Sequence, residues 1–147
     1  MNKIILLIIP LLLIAGCTSN NTTGNVVNTI NVDHLEVIHF HATNQCWSCI
    51  TVGAYAEQTI NNYFSNEIAS GLITFKHVNG ELSENSELVK KYGVTGSSLF
   101  IGVYGKDGSF KAIQDTKVWY KVNNQTDYTN YFKDLINKRL TGDLSWV

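Results

Sequence analysis

The chain has 147 residues, a net charge of −1, and neither a basic run nor a basic–aromatic pattern. These properties exclude a nucleic-acid-binding surface built on positive charge. Apolar residues make up 44% of the chain and charged residues 16%, so the length suffices for one domain with a buried core. The three cysteines fall into two settings, with Cys17 alone and Cys46 close to Cys49.

The start of the chain has the features of an export signal. Lys3 supplies one positive charge, and residues 4–15 are almost wholly apolar but shorter than the roughly 20 residues that span a bilayer. The segment Ile14-Ala15-Gly16-Cys17 resembles the lipobox of prokaryotic lipoproteins. The resemblance implies that Cys17 is lipidated and anchors an extracytoplasmic protein to the membrane of a prokaryotic cell. The alternative is a signal peptide in which Cys17 is incidental.

The segment that follows is polar. Residues 17–31 are rich in Asn and Thr and carry almost no charge. Such a segment buries little apolar surface, so we predict a flexible tether. The expected organisation is a signal peptide over residues 1–16, this tether, and a folded domain over residues 32–147.

The first half of the domain alternates strands with a helix. Apolar residues predict a strand over residues 32–42. Apolar residues at three- and four-residue spacing after Cys46 predict a long helix that ends at Ser70-Gly71. A second strand is predicted over residues 72–78.

The second half is predicted to contain a short helix, a β-hairpin and a final helix, over residues 83–92, 99–113 and 126–141. Gly93 is expected to end the short helix, and Gly105-Lys-Asp-Gly108 is a hairpin turn signal. Thr126 is predicted to cap the final helix, which Gly142 ends.

Cys46 and Cys49 form a C-x-x-C pair between the first strand and the long helix. A C-x-x-C pair alone is weak evidence, because zinc sites also use it. In this position, however, the first sulfur lies over unpaired backbone N–H groups at the positive end of the helix dipole, and both stabilise a thiolate. The pattern predicts a reactive dithiol. A purely structural disulfide is disfavoured, because closing so short a loop adds little stability.

The segment Val37-Ile-His-Phe-His-Ala42, followed by Cys46-Trp-Ser-Cys49, resembles the active-site strand and loop of the thioredoxin superfamily. Tyr92 to Leu99 resembles the second signature of that superfamily, and the Gly-Lys-Asp-Gly turn matches it too. The resemblance covers about residues 32–141. It implies an α/β, thioredoxin-like fold, with a mixed central β-sheet flanked by helices on both faces. It also implies a monomer without a cofactor.

The resemblance implies thiol–disulfide exchange with protein thiols and disulfides as partners. Cys46 would be the nucleophile and Cys49 the resolving thiol. Trp47, Ser97 and Ser98 would contact the substrate, although Trp47 could instead fold back on the domain. The direction of exchange stays open, and a reductase outside the membrane would need a membrane electron donor.

Two histidines depart from the superfamily pattern. His39 stands where thioredoxins carry a buried acid, and His41 where they usually carry an aromatic residue. Side chains 39 and 41 point to one face of the strand. If that face lies beneath the dithiol, His39 would accept the proton of Cys49 and His41 would stabilise the Cys46 thiolate. The alternative is one core histidine and one surface histidine without a catalytic role.

A third departure is Ser98, which occupies the position of the superfamily's cis-proline. A cis bond before a residue other than proline costs roughly 2.5–4 kcal/mol, so we expect a trans bond or a strained cis bond enforced by the fold. His34 and His77 are predicted to be ordinary residues. Glu57 and Lys76 are predicted to lie on solvated faces.

Two other functions compete with exchange. Cys46 and Cys49, with His39 or His41, match the ligand types of copper(I) or zinc, and such a protein would store or deliver metal. No Met follows Met1, which disfavours copper(I). The third hypothesis is an interaction module without redox chemistry, and two intact cysteines argue against it.

Overall fold

The computed structural model describes residues 29–145. Its strands and helices are β1 (Val32–His41), α1 (Trp47–Tyr63), α2 (Ser65–Ala69), β2 (Ile73–Asn79), α3 (Ser86–Tyr92), β3 (Ser98–Gly105), β4 (Phe110–Asp115) and α4 (Gln125–Leu140). Short 3₁₀ turns lie at Ser83–Asn85 and Lys117–Tyr120. The predicted signal peptide, Cys17 and most of the predicted tether lie outside the described residues. Within residues 29–145, no helix is both long and apolar enough to cross a membrane.

The four strands form one mixed sheet in the order β2-β1-β3-β4. β1 is parallel to β2 and antiparallel to β3, and β3 and β4 form the antiparallel hairpin. In this register His39 of β1 lies between His77 of β2 and Leu99 of β3. The predicted mixed sheet is therefore confirmed.

Alternation along β1 divides the apolar residues between two cores. Leu35 and Val37 belong to the core that the sheet forms with α1 and α4. Ile38 and Phe40 point the other way and pack with residues of α3. Because side chains alternate along a strand, His39 shares the face of Val37 and lies under α1. Helices thus cover both faces of the sheet, as predicted.

The prediction of one helix from Cys46 to Ser70-Gly71 is wrong at Phe64. This residue leaves helical geometry at φ −131° and ψ 31°, and it separates α1 from α2. Its side chain is buried in the core with α1 and α4. Phe64 reaches that core from a non-helical position, and the amphipathic pattern alone does not reveal the break.

The start of α4 also differs from the prediction, whereas its end agrees with it. Asn124 caps the helix, not Thr126, because Asn124 Oδ1 accepts the backbone N–H of Asp127 at 3.1 Å. The helix ends at Leu140, and Gly142 follows it with a φ of 80°.

Residues 29–31, predicted as part of the tether, contact the domain. The N–H of Ile30 donates to the carbonyl of Gly142 at 2.9 Å, and Thr29 forms a β-bridge with Asp143. Ile30 also packs against the core formed with α1 and α4. The folded unit therefore begins at least at Thr29.

Candidate dithiol site

The cysteine pair lies where β1 passes into α1. Cys46 is the N-cap of α1 and has extended geometry, φ −76° and ψ 163°. Its Sγ accepts the backbone N–H of Cys49 at 3.2 Å, so the sulfur occupies the acceptor position that Ser or Asp fills in other helices. The two cysteines are joined as a disulfide, with their Cα atoms 5.1 Å apart.

The two sulfurs belong to side chains that differ in exposure. Cys46 is exposed and Cys49 is half-buried. Trp47 and Ile50 beside them are 62% and 55% exposed. Trp47 therefore does not fold back on the domain, and apolar surface accompanies the exposed sulfur.

His39 lies beneath α1 and is 1% exposed. Its ring contacts the helix at Gly53, one turn after Cys49, and a β-carbon at Gly53 would collide with the ring. Burial, followed by the charges of His77 and His41, lowers the pKa of His39 from 6.5 to about 4, while the Cys49 backbone acts weakly in the opposite direction. His39 Nε2 is buried and has no hydrogen-bond partner among residues 29–145.

His41 lies nearer the surface than His39. Its Nδ1 is 2.9 Å from the carbonyl oxygen of Ala42. Because a carbonyl only accepts, Nδ1 carries a proton, and the lone pair of the neutral ring is on Nε2. The rings of His39 and His41 are stacked with their centroids 5.6 Å apart. The structure therefore brings the two histidines together on the α1 face of β1.

A cavity of about 270 Å³ lies beside the carboxyl end of β1, and its lining includes His41, Glu81, Val94 and Ser97. Ser98 is 2% exposed, and its hydroxyl donates to the carbonyl of Gly96 at 2.9 Å. The two serines predicted to contact substrate thus differ, because Ser97 lines the cavity whereas Ser98 bonds within its own loop. No cis peptide bond occurs within residues 29–145, so the Ser97–Ser98 bond is trans.

Glu57, predicted to lie on a solvated face, is exposed, and so is His77, predicted to be an ordinary residue, but the two side chains join His39 in one cluster. His77 Nδ1 lies 3.0 Å from His39 Nδ1, and His77 Nε2 lies 3.3 Å from Glu57 Oε2. Two patterns could have indicated this cluster. The parallel pairing of β1 with β2 sets His39 opposite His77, and Gly53 and Glu57 follow Cys49 at four-residue steps along one face of α1. Lys76, also predicted as solvated, is half-exposed and pairs with Glu36 at 2.7 Å.

The arrangement does not favour a metal centre. Within residues 29–145, no group of three or more His, Cys, Asp or Glu side chains could hold a metal ion. The Nδ1 atom of His39 bonds to His77, and the Nδ1 atom of His41 bonds to the carbonyl of Ala42. The sequence-based metal hypothesis therefore gains no support from the geometry.

No protein-family model matches this chain, and no curated protein sequence does. Among solved structures, the chain is similar to the Trx4 domain of ERdj5, with 16% identity, coverage of 76% of this chain and 84% of that one, and a TM-score of 0.49. It is also similar to a thioredoxin from Thermus thermophilus, with 13% identity, coverage of 71% and 75%, and a TM-score of 0.45. The strand order β2-β1-β3-β4 and the C-x-x-C pair at the start of α1 make the fold thioredoxin-like.

Proposed function

We propose that this protein is a thiol–disulfide oxidoreductase in which Cys46 is the nucleophile and Cys49 the resolving thiol. The observation that carries the proposal is the position of Cys46. Its exposed sulfur accepts an N–H at the start of α1, where the helix dipole and unpaired N–H groups stabilise a thiolate. Cys49, half-buried one turn further on, is close enough to form the disulfide.

In the reducing direction, the Cys46 thiolate attacks a substrate disulfide. A bond forms between Cys46 Sγ and one substrate sulfur, and the other substrate sulfur leaves as a thiolate. Cys49 then loses its proton and attacks Cys46 Sγ, which releases the second substrate sulfur. Two electrons pass from the dithiol to the substrate. In the oxidising direction the same steps run in reverse.

His39 accepts the proton of Cys49 in this proposal. The buried ring lies against α1 one turn after Cys49, and its Nε2 has no other hydrogen-bond partner among the described residues. His41 acts nearer the surface. Its Nδ1 bonds to the Ala42 carbonyl, so protonation at Nε2 would place a positive charge at the edge of the site and favour the Cys46 thiolate.

The substrates we propose are protein disulfides or thiols, because exposed apolar surface adjoins the nucleophile. The flat rings of Trp47 and the side chain of Ile50 offer apolar contact beside Cys46. Ser97 lines the cavity at the carboxyl end of β1 and would meet the substrate from the loop before β3.

We further propose that the protein works outside the cytoplasmic membrane of a prokaryotic cell, held there by a lipid on Cys17. The support is the lipobox-like sequence Ile14-Ala15-Gly16-Cys17 after an apolar segment. There a reductase would draw its electrons from a membrane donor. Incorporation of a labelled fatty acid into the wild-type chain, and its loss in Cys17→Ala, is the expected result. Equal labelling of both chains would contradict the anchor.

The exchange proposal is tested with a protein substrate that has an accessible disulfide. Cys46→Ser should abolish both turnover and mixed-disulfide formation. Cys49→Ser should accumulate a mixed disulfide between Cys46 and the substrate, because the resolving thiol is missing. Cys17→Ser is the matched control and should retain exchange in solution. Full turnover by Cys46→Ser would exclude the mechanism.

A further inference from the structure

We propose that His77 and Glu57 are positioning residues for the resolving thiol: they hold the proton of His39 on Nδ1, which leaves Nε2 free as the base, and they pass the proton on to solvent. This inference rests on the proposed function. It concerns residues outside the cysteine pair, and His77 and Glu57 would act only through His39.

The three side chains form a continuous path from the interior to the surface. His39 is 1% exposed, and its Nδ1 lies 3.0 Å from the Nδ1 of His77. His77 Nε2 lies 3.3 Å from Glu57 Oε2. The side chains of His77 and Glu57 are 38% and 49% exposed, so the outer end of the path reaches water.

The hydrogen-bond partners determine which nitrogen of each ring carries a proton. In the dithiol form of the site, the ionised carboxylate of Glu57 only accepts, so His77 Nε2 is the donor to it. In the neutral ring of His77, Nδ1 is then an acceptor. His39 must therefore donate from Nδ1 across the 3.0 Å contact, and the lone pair of its neutral ring is on Nε2.

This tautomer suits a relay that takes a proton at one nitrogen and releases one at the other. When Cys49 resolves the mixed disulfide, its thiol proton goes to His39 Nε2. The proton on His39 Nδ1 moves to His77 Nδ1, and the proton on His77 Nε2 moves to Glu57 or water. One proton enters and one leaves, so neither ring keeps a charge. In the disulfide form His77 Nε2 then accepts a hydrogen bond from protonated Glu57 or from water. When Cys49 is later reduced to a thiol, the reverse transfers return its proton and restore both tautomers of the dithiol form.

The surroundings of His39 favour transfer of the proton to His77 over a ring that stays protonated. The titratable groups that face it are His41 on its own strand and His77 on β2, and both oppose a positive charge. From α1 it meets Gly53 and the backbone of Cys49, and from β3 it meets the apolar Leu99. Because burial, followed by the charges of His77 and His41, holds the pKa of His39 at about 4, the ring does not retain a proton near neutral pH.

The test separates the two chemical steps with a small aromatic disulfide that releases one coloured thiolate at each step. The full chain carries Cys17→Ser in every sample, so that Cys46 and Cys49 are its only thiols. Rapid mixing of the reduced protein with this reagent gives a first release that reports the attack of Cys46. The second release reports resolution by Cys49. The variants are His77→Gln and Glu57→Gln, and Glu84→Gln is the matched control at an exposed carboxylate.

We expect His77→Gln to slow the second release at neutral pH by about tenfold or more. This is less than the roughly 100-fold or more that a positioned acid–base group contributes, because His77 acts through His39. Gln can form hydrogen bonds at this place, but it cannot exchange one proton for another. Glu57→Gln should slow the second release less, because water can still accept from His77 Nε2. In both variants, the pH at which the rate of the second release is half-maximal should be higher than in the protein with the unmodified site. At alkaline pH the rates should be equal, because hydroxide then deprotonates Cys49. Glu84→Gln should match it throughout.

A second release in His77→Gln with an unchanged rate and pH profile would overturn the relay while leaving the exchange mechanism intact. Equal slowing of both releases would also overturn it, because the variant would then act on Cys46 or on the fold. If the chain that carries only Cys17→Ser showed no first release, this result would contradict the proposed exchange function, and the relay would be excluded with it.

Discussion

The Sγ of Cys46 accepts the backbone N–H of Cys49 at 3.2 Å, so the exposed sulfur of the pair is also the N-cap of α1. One atom therefore serves the fold and the proposed chemistry. A negative charge on that sulfur strengthens the hydrogen bond and meets the positive end of the helix dipole. The sulfur of Cys49 lies further along the helix and is not at the N-cap.

This relationship predicts unequal reactivity of the two thiols. In the reduced protein, a limiting amount of an alkylating reagent at neutral pH should modify Cys46 and leave Cys49 largely free, because Cys46 is exposed and its thiolate is stabilised. Peptide mass spectrometry after digestion measures the two sites, and unfolding in denaturant provides the control in which the difference should disappear. Preferential modification of Cys49 would contradict the assigned roles.

His39 should make stability depend on pH. Its pKa is lowered in the folded protein from 6.5 to about 4, so the unfolded chain binds the proton more tightly. The free energy of unfolding is therefore not reduced by His39 above pH 6.5, and it falls as the pH drops from 6.5 towards 4. The total decrease is about 3 kcal/mol, because each pKa unit corresponds to about 1.4 kcal/mol. Urea denaturation across this range measures it. His39→Gln should flatten the slope, whereas His34→Gln at a half-buried position outside the cluster should keep it.

Gly53 should be intolerant of a side chain. A β-carbon there would collide with the ring of His39, so Gly53→Ala is expected to destabilise the protein by about 1–3 kcal/mol despite the better helix propensity of Ala. A double-mutant cycle with His39→Ser isolates the cause, because Gly53→Ala should cost much less once the ring is absent. Equal costs in both backgrounds would show that His39 is not the obstacle.

Glu36 should stabilise the face of the sheet that packs against α3, opposite to α1. Its carboxylate accepts hydrogen bonds from Tyr92, Tyr104 and Lys76 at 2.7–2.9 Å. Burial alone would raise the pKa of Glu36, but these bonds outweigh it and lower the pKa below the ordinary 4.5. Glu36→Gln should reduce the free energy of unfolding by about 1–3 kcal/mol at neutral pH.

The sign of the Glu36 effect can be checked by lowering the pH. Because the folded pKa is lowered, the contribution of the carboxylate is present above pH 4.5 and is lost as the pH falls below it. The difference in stability between wild type and Glu36→Gln should therefore shrink in acid. Glu84→Gln should match wild type at every pH, and a constant difference for Glu36→Gln would refute the charge-based explanation.

Local patterns predicted the fold well. Alternation of apolar and polar residues in β1, helical spacing after Cys46 and the Gly105–Gly108 turn each depend on neighbours in the chain. Such signals determine the type and order of the elements, and the mixed sheet follows from that order. The position of Cys46 at a helix start was predictable for the same reason.

Features set by long-range packing were not predictable in this way. Phe64 leaves helical geometry although its side chain is buried in the core. His77 contacts both His39 and Glu57 because β2 pairs with β1 in one register and α1 brings Glu57 within reach of β2. Residues 39, 57 and 77 are far apart in the chain, so the four-residue steps from Cys49 to Glu57 and the strand alternation indicate the cluster only once the register of β1 and β2 is known.

The most direct test of the proposed exchange function is a redox titration of the full chain carrying Cys17→Ser, after treatment with a chelator. We predict a reversible two-electron couple between about −270 mV, as in a reductant, and about −120 mV, as in an oxidant that makes disulfides. The couple should vanish in Cys49→Ser. A chain with no reversible couple in this range would contradict the assignment of Cys46 and Cys49 as an exchanging dithiol.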